Sequence, residues 1–488
     1  MKIRRISPIL LLICTISGCA LYGPSYKKLE IAPEQSWSSK DSYAKIESGT
    51  NLADTAWWSK FSDKDLNGLI ESALANNNQI QMAIGNIIQA QGYLQQIRMA
   101  WVPTVGAQGS YMNTQSLGGD GGASHAGAIG SNTISPPGYA AGIVPSYTIN
   151  ILQQLRSQEA AKAALMTAIY AKDAMRLTII GQVAGSYFTL IGQDYQLKLQ
   201  KELVEDTKKQ LELGKEQYKL GYISLLSLQQ YEQNYYTAKT QIPVIENNIV
   251  QSQNALRVLT NQYPGTVKRY TNFIDIKTDG IIPVGLPSDV LKRRPDIMQA
   301  EEQLKQYNAN IGVATSAFFP TISLTSPIGS SSSSLANLFS AGTNFWQTQL
   351  TATMPLLNLS QFGTVKSAKG QYYNSYYNYM NVVRSAFQQV DNSLSAHQKL
   401  ANSYNMQKSQ FDSAKLGYDI GNERYKLGAD SYAKMLNYKI NMDNAGLLLT
   451  AAKSQQLQSI VTLYQNLAGG YNVKNTKKPK KFNDSHDA

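Results

Sequence analysis

The chain has 488 residues, 43% of them hydrophobic and only 16% charged, with a formal net charge of +12 and two cysteines. That length is ample for a large folded body, and much of the basic excess sits at the ends, in Lys2, Arg4 and Arg5 and in Lys474, Lys477, Lys478, Lys480 and Lys481. Nucleic-acid binding would need clustered Lys and Arg on a recognisable reading motif, and the body carries neither.

Residues 1–18 are predicted to be a signal peptide: the basic start is followed by a short apolar run, Ile9 to Ile16, too short to cross a bilayer as a helix. The run closes in Ile16-Ser17-Gly18-Cys19, which resembles a bacterial lipobox, and that resemblance makes Cys19 the lipidated first residue of the mature chain, bearing palmitate-type acyl chains. Cys14 would leave with the signal, so Cys19 would remain alone and no internal disulfide could form. Ala20 after the cysteine implies sorting to the outer membrane by the usual bacterial rule. Residues 19–64 then form a lipid-anchored N-terminal segment. No later window approaches 18 consecutive apolar residues, so no transmembrane helix is expected.

The rest of the chain is a tandem duplication, with a first repeat over 65–286 and a second over 287–473. Ala100-Trp101-Val102-Pro103-Thr104 is echoed by Ala317-Phe318-Phe319-Pro320-Thr321, and Gly214, Tyr218, Lys219, Leu220 and Gly221 recur in order as Gly421, Tyr425, Lys426, Leu427 and Gly428. Two long imperfect copies do not make a solenoid.

In chain order, strands are expected at about 104–114 and 139–150. Val105, Ala107, Gly109 and Tyr111 alternate with Gln108 and Ser110, and Ile143, Tyr147 and Ile149 with Ser146, Thr148 and Asn150. Helices are expected over 151–220 and 223–261, because apolar residues fall at strict sevens: Leu190, Leu197, Val204, Leu211, Tyr218, then Leu228, Tyr235, Ile242, Ile249, Leu256. A helix of 70 residues would span roughly 105 Å. The second repeat predicts strands at about 321–328 and 345–354 and helices over 360–427 and 431–468. Its seams are His397, Tyr404, Phe411, Tyr418, Tyr425 and Met435, Met442, Leu449, Gln456, Leu463. The polar segment 474–488 reads as a disordered basic tail.

The fold class is therefore mainly α with a small β part. Each strand run has the length and period of a tilted membrane strand, yet four strands cannot close a barrel, whose smallest form has about eight. Several copies must share one wall. An elongated coiled-coil spacer and a soluble four-stranded sandwich are the alternatives.

Further residues carry a family resemblance. The run from Leu286 through Arg293-Arg294-Pro295-Asp296-Ile297 to Ala300-Glu301, Asn308, Gly312 and Phe318, together with Trp57-Trp58, Phe61, Asp63, Arg424-Tyr425, Gly428 and Leu463-Tyr464 to Gly469-Gly470, resembles the signature of TolC-like outer-membrane efflux lipoproteins of the NodT/OprM type. The resemblance implies a homotrimer whose shared twelve-stranded barrel continues into a periplasmic α-barrel tunnel. It implies the exit duct of a tripartite pump, working with a periplasmic adaptor protein and an inner-membrane transporter of the resistance-nodulation-division class. It places Tyr218, Lys219, Leu220, Gly221 and Ser224, with Tyr425, Lys426, Leu427, Gly428 and Ser431, at two adaptor-docking tips. Each Gly suits a left-handed helix end and each Ser a cap for the returning helix. Arg293 to Asp296 reads as a helix start with a structural role in the belt around the tunnel.

The departures concern the periplasmic aperture. Ser227, Lys434, Asn437 and Ile440 occupy positions where the family often has acidic residues or Arg, and Gln389 stands where relatives write Glu. An acidic ring at a narrow mouth selects cations, so weaker cation preference is expected. No catalytic motif, nucleotide loop or metal pair is present: His125, His397 and His486 are isolated, the Met residues are scattered, and neither a cofactor beyond the lipid nor enzyme activity is expected. The alternatives for function are a duct for type I protein secretion and a lipid-anchored coiled-coil scaffold without a pore.

Overall fold

The computed structural model describes residues 24–27, 52–113, 138–278, 293–340 and 342–473. The signal peptide with Cys19, the segment 114–137 with His125, the motif residues 286–292 and the tail with His486 lie outside the described residues. Among those described, the helices are α1 (Lys64–Asn76), α2 (Asn78–Met99), α3 (Ile151–Lys219), α4 (Leu225–Leu259), α5 (Pro295–Ser316), α6 (Leu359–Lys426) and α7 (Tyr432–Asn466). None is long and apolar enough to cross a membrane. The strands are β1 (Thr104–Met112), β2 (Gly138–Ile149), β3 (Thr321–Thr325), β4 (Ile328–Ser332), β5 (Asn344–Trp346) and β6 (Gln349–Thr353).

The chain folds as two compact units, and both draw on the two repeats. The first takes Met1–Glu30, Ile87–Ala168 and Ala300–Tyr379; the second takes Ile31–Asn86, Ile169–Gln299 and Met380–Ala488. The repeats are thus units of sequence, interleaved in space.

In the first unit, one antiparallel sheet holds all six strand segments. They amount to four runs. Ile143 pairs with Ile328 and Tyr147 with Leu324, which is one unshifted register across β4 and β3. Ile328 pairs with Trp346 and Leu324 with Leu350, again one register across β5 and β6. The interruptions fall at Ser326-Pro327, where proline supplies no N–H to the ladder, and at Gln347-Thr348 opposite it. The pairing still bridges them: Ser326 N donates to Pro145 O at 2.9 Å and Gln347 N to Pro327 O at 3.0 Å.

Side chains of strand residues alternate between faces, and this register gathers like with like. Val105, Ile143, Ile322, Leu324, Ile328, Trp346 and Leu350 share one face, and all are exposed. Thr104, Ser146, Thr148, Ser323, Thr325, Thr351 and Thr353 share the other. There Thr104 and Ser146 meet through their hydroxyls at 2.9 Å, as do Thr148 and Ser323. The sheet begins and ends in β1 on one side and β5–β6 on the other, and neither outer edge has a further strand among the described residues.

The helices of this unit start directly from the sheet. Asn150 follows β2 and caps α3, its Oδ1 accepting from Gln153 N at 3.1 Å while its Nδ2 donates to Ser316 O at 2.9 Å. Gly312 in α5 admits the buried Arg156 side chain, since a Cβ there would lie 2.7 Å from Arg156 Cδ. Ile311, Ala314 and Ala368 form the apolar contact between α5 and α6.

The second unit holds the aromatic motif residues. Trp57 is fully buried and stacks on Tyr464 with ring centroids 4.7 Å apart. Asp63 caps α1 through Asp65 N and Leu66 N, and its other oxygen accepts from Tyr187 Oη at 2.7 Å. Gly470 adopts φ +85° beside Trp58, where any Cβ would meet the ring at 2.5 Å. Leu190, Val204, Leu211, Ile249 and Leu256 of the heptad series are buried, whereas His397 sits half-buried with its ring 3.5 Å from Ser459 Oγ.

Candidate functional site

The two helical hairpins of the second unit, α3–α4 and α6–α7, end in the same construction. At the first, Gly221 has φ +77°, Gly221 N donates to Tyr218 O at 2.9 Å and Tyr222 N to Gln217 O at 2.8 Å. At the second, Gly428 has φ +72°, Gly428 N donates to Tyr425 O at 2.9 Å and Ala429 N to Arg424 O at 2.8 Å. This paired closure satisfies the last carbonyls of a helix and needs a left-handed residue, which glycine supplies without a Cβ clash. The returning helices are capped by Ser224, which accepts from Ser227 N at 3.2 Å, and by Ser431, which accepts from Lys434 N at 3.3 Å. Lys219 pairs with Glu216 at 2.6 Å and Lys426 with Glu423 at 2.7 Å, the same one-turn spacing in both copies. At the apex Leu220 is 70% exposed and Leu427 81% exposed, flanked by half-exposed Tyr218 and Tyr425. Each tip is therefore a tight turn with a bare leucine, a half-exposed tyrosine and an already paired lysine, and the first tip adds exposed Tyr222, Leu225 and Leu226.

The residues expected at the aperture lie just beyond the tips. Lys434 is not a free cation: its Nζ is 3.0 Å from Asp430 Oδ1, and Arg424 Nε is 2.7 Å from Asp430 Oδ2. The Arg424 guanidinium, with Lys434 beside it, holds the Asp430 carboxyl below the usual carboxylate range. Asn437 is exposed and its Oδ1 accepts a hydrogen bond from Gln210 Nε2 of α3. Ile440 packs against Leu203, Val204 and Ala238, in the seam between the hairpins. Ser227 closes on Ser224, their hydroxyls 3.1 Å apart. Two of the four aperture positions, Asn437 and Ile440, thus tie α7 to the first hairpin, while Lys434 and Ser227 serve their own tips.

Sequence reasoning named Arg424 only as part of a motif and passed over its partner Asp430, and also a buried charged patch formed by Asp206, Lys439 and Asp443. The Lys439 and Asp443 spacing of one helical turn was the available signal; the partner Asp206 comes from another helix and leaves no mark in sequence.

Gln389 finds its use away from the aperture. Arg294, 6% exposed, donates to Gln389 Oε1 at 2.7 Å, to both Asp296 oxygens at 2.8 and 3.0 Å, and to Asn466 O at 2.9 Å. A buried guanidinium with four of its five N–H donors answered locks the start of α5 to α6 and α7. At the N-terminal side, Pro24–Lys27 lies along α5 in the first unit. Asn308 Nδ2 donates to Pro24 O at 2.8 Å, Tyr26 Oη to Glu301 at 3.3 Å, and Lys305 Nζ stands 5.4 Å from the Tyr26 ring.

Known proteins match this chain over nearly its whole length. A family model described as Outer membrane efflux protein matches residues 69–262 and again 286–469. The chain is similar to a probable efflux pump outer membrane protein, TtgC of Pseudomonas putida, at 28% identity over 461 residues, covering 93% of each chain. It is similar to the probable outer membrane lipoprotein SilC of Salmonella typhimurium at 28% identity, covering 96% of this chain and 99% of that one. Its structure resembles the crystal structure of the open state of the MtrE outer membrane channel of Neisseria gonorrhoeae, with a TM-score of 0.77, 25% identity, and coverage of 93% and 99%.

Proposed function

The chain belongs to the outer membrane efflux protein family, and from that premise we propose that it is the exit duct of a tripartite efflux pump in the bacterial outer membrane. In this reading it passively conducts drugs or other small toxic solutes that a periplasmic adaptor and an inner-membrane transporter deliver to it.

One observation carries the reading. The sheet sorts its side chains by face: exposed apolar residues gather on one face, hydroxyls line the other, and its two outer edges lack strand partners among the described residues. A bilayer tolerates no open sheet edge, so four runs per chain require further copies, and three copies would supply twelve.

The finer assignments rest on the tips and the N-terminal strip. The paired tip turns, with Leu220 and Leu427 bare, are the adaptor-docking elements in this reading, because two equivalent rigid apolar knobs suit repeated grooves on a partner. Cys19 is the lipid-bearing residue. It stands five positions before Pro24, at most about 17 Å of extended chain, and the clasp on Pro24 and Tyr26 would hold the lipid end close to α5. The acyl chains then add membrane affinity at about 0.8 kcal/mol per buried methylene.

Purified protein in planar bilayers is expected to give discrete conductance steps, and loss of the gene to raise susceptibility to dyes, detergents and antibiotics. A bilayer that stays silent with well-folded protein overturns the duct.

A further inference from the structure

A single buried patch of charge joins the two hairpins of the second unit. Asp443 of α7 is 2% exposed. Its Oδ1 accepts from Lys439 Nζ one turn away, and Lys439 Nζ is 3.5 Å from Asp206 Oδ2 of α3. Lys209 Nζ is 2.9 Å from Asp206 Oδ1. From α6 the Tyr418 ring lies 5.9 Å from Lys439 Nζ, and Tyr432, at the start of α7, bears on Lys209. Two carboxyls and two ammonium groups would balance, but the partners are unevenly shared. Both lysines serve Asp206, while Asp443 Oδ2 is buried without any hydrogen-bond partner. The same Lys439 ammonium touches Asp443 Oδ1 and stands 3.5 Å from Asp206 Oδ2, so one cation holds the two carboxyl groups beside each other across the hairpins. Two ionised carboxylates have only acceptors to offer each other and repel; one proton between them turns repulsion into a strong, charge-assisted hydrogen bond.

We propose that Asp443 takes up a proton from solvent and donates it through Oδ2 to Asp206, forming an acid pair that bolts the second hairpin to the first and loosens when the proton leaves. The orphaned oxygen is where the proton would sit. The bolt lies some 13 residues, or about 20 Å of helix, from the Lys219 end of α3, on the segment where Gln210 reaches Asn437 and where Leu203 and Val204 meet Ile440. It is an ionisable link within the hairpin contact, so pH can act on it. Burial pushes the Asp443 carboxyl up to about 6, the Asp206 charge adds to the rise, and Lys439 opposes it. A carboxyl raised in the folded state binds its proton more tightly there than in the unfolded chain, so its contribution is fully present below about pH 4 and is lost as pH rises through about 6. Acid therefore tightens the hairpin contact. The consequence for solute passage rests on the duct reading; the bolt itself does not.

Spin labels at Lys215→Cys on α3 and Ala429→Cys at the second tip, both exposed positions, read the hairpin separation by pulsed EPR in the full-length oligomer. The distance distribution is expected to be narrow at about pH 5 and to broaden by about pH 7.5, with the midpoint near that of Asp443. Asp443→Asn, whose amide can donate to Asp206 at any pH, should hold it narrow throughout. Asp206→Asn, which removes the other half of the pair, should likewise abolish the pH response and serves if the first variant fails to fold. A wild-type distribution that ignores pH, or a response that survives in a folded Asp443→Asn variant, overturns the proposal. Conductance of the same preparations judges the duct separately: a silent bilayer with a pH-dependent distance would sink the duct and leave the bolt standing.

Discussion

Asp430 sets the charge that the second tip presents. It neutralises Lys434 and steadies Arg424, leaving a single net positive charge among the three. With Asn437 neutral, the mouth of the passage would carry no acidic ring, and its cation preference should be weak. Replacing Asp430 by Asn frees two cations per chain, so the reversal potential across a KCl gradient should move toward anion selectivity. Movement toward cations would refute this account of the mouth. Lys434 illustrates how far residue identity reaches. The sequence displays a lysine at the start of the returning helix, but whether that lysine is free depends on a carboxylate four positions earlier pointing at it. Gln389 was likewise visible as a departure, yet its acceptance of the Arg294 guanidinium required three chain segments to meet.

At the scale of elements, the duplication explains choices that look arbitrary singly. Gly214 and Gly421 stand seven positions before the tip glycines, and at each the returning helix lays a tyrosine ring against the backbone. A Cβ at Gly214 would come 2.5 Å from Tyr231 Cδ2, and one at Gly421 would collide with Tyr438 in the same way. The rings, not helix propensity, exclude a side chain here, since alanine would otherwise favour the helix. Gly421→Ala and Gly214→Ala should each destabilise their hairpin by about 1–3 kcal/mol through overpacking, read as a lower melting midpoint and faster proteolysis at the adjoining tip. Unchanged melting would mean that the rings swing aside freely. The strands show what periodicity can and cannot say. Alternation marks runs at about 321–328 and 345–354 in the second repeat, because side-chain direction follows from the backbone alone; the structure carries the first of them on through β4 to Ser332. The interruption at Ser326-Pro327 and its preserved register were decided by the neighbouring strand, which keeps pairing across the gap.

For the whole molecule, the constraint is the unfinished sheet. Each chain brings four runs with two outer edges, and edges of this kind either pair or aggregate. Native mass measurement of the detergent-solubilised protein should return about three times the mature chain, the count that brings four runs to twelve. A monomer or dimer that still conducts would contradict the shared wall. The division into units matters as well. Each unit recruits both repeats, so neither repeat is expected to be a self-sufficient domain.

What the sequence determined by itself is everything governed by local period and local chemistry. The sevens specify the long helices, the twos specify the strands, glycine and serine specify the tips, and the duplicated motifs declare the family. These follow from the backbone geometry of a few consecutive residues, so a one-dimensional string contains them. Tertiary structure alone decided which distant groups share a proton, a ring stack or a guanidinium: Asp206 with Asp443, Trp57 with Tyr464, Arg294 with Gln389. Such pairings depend on how helices rotate and cross when their apolar seams close, and a rotation of one residue moves a side chain by about 100° around its helix.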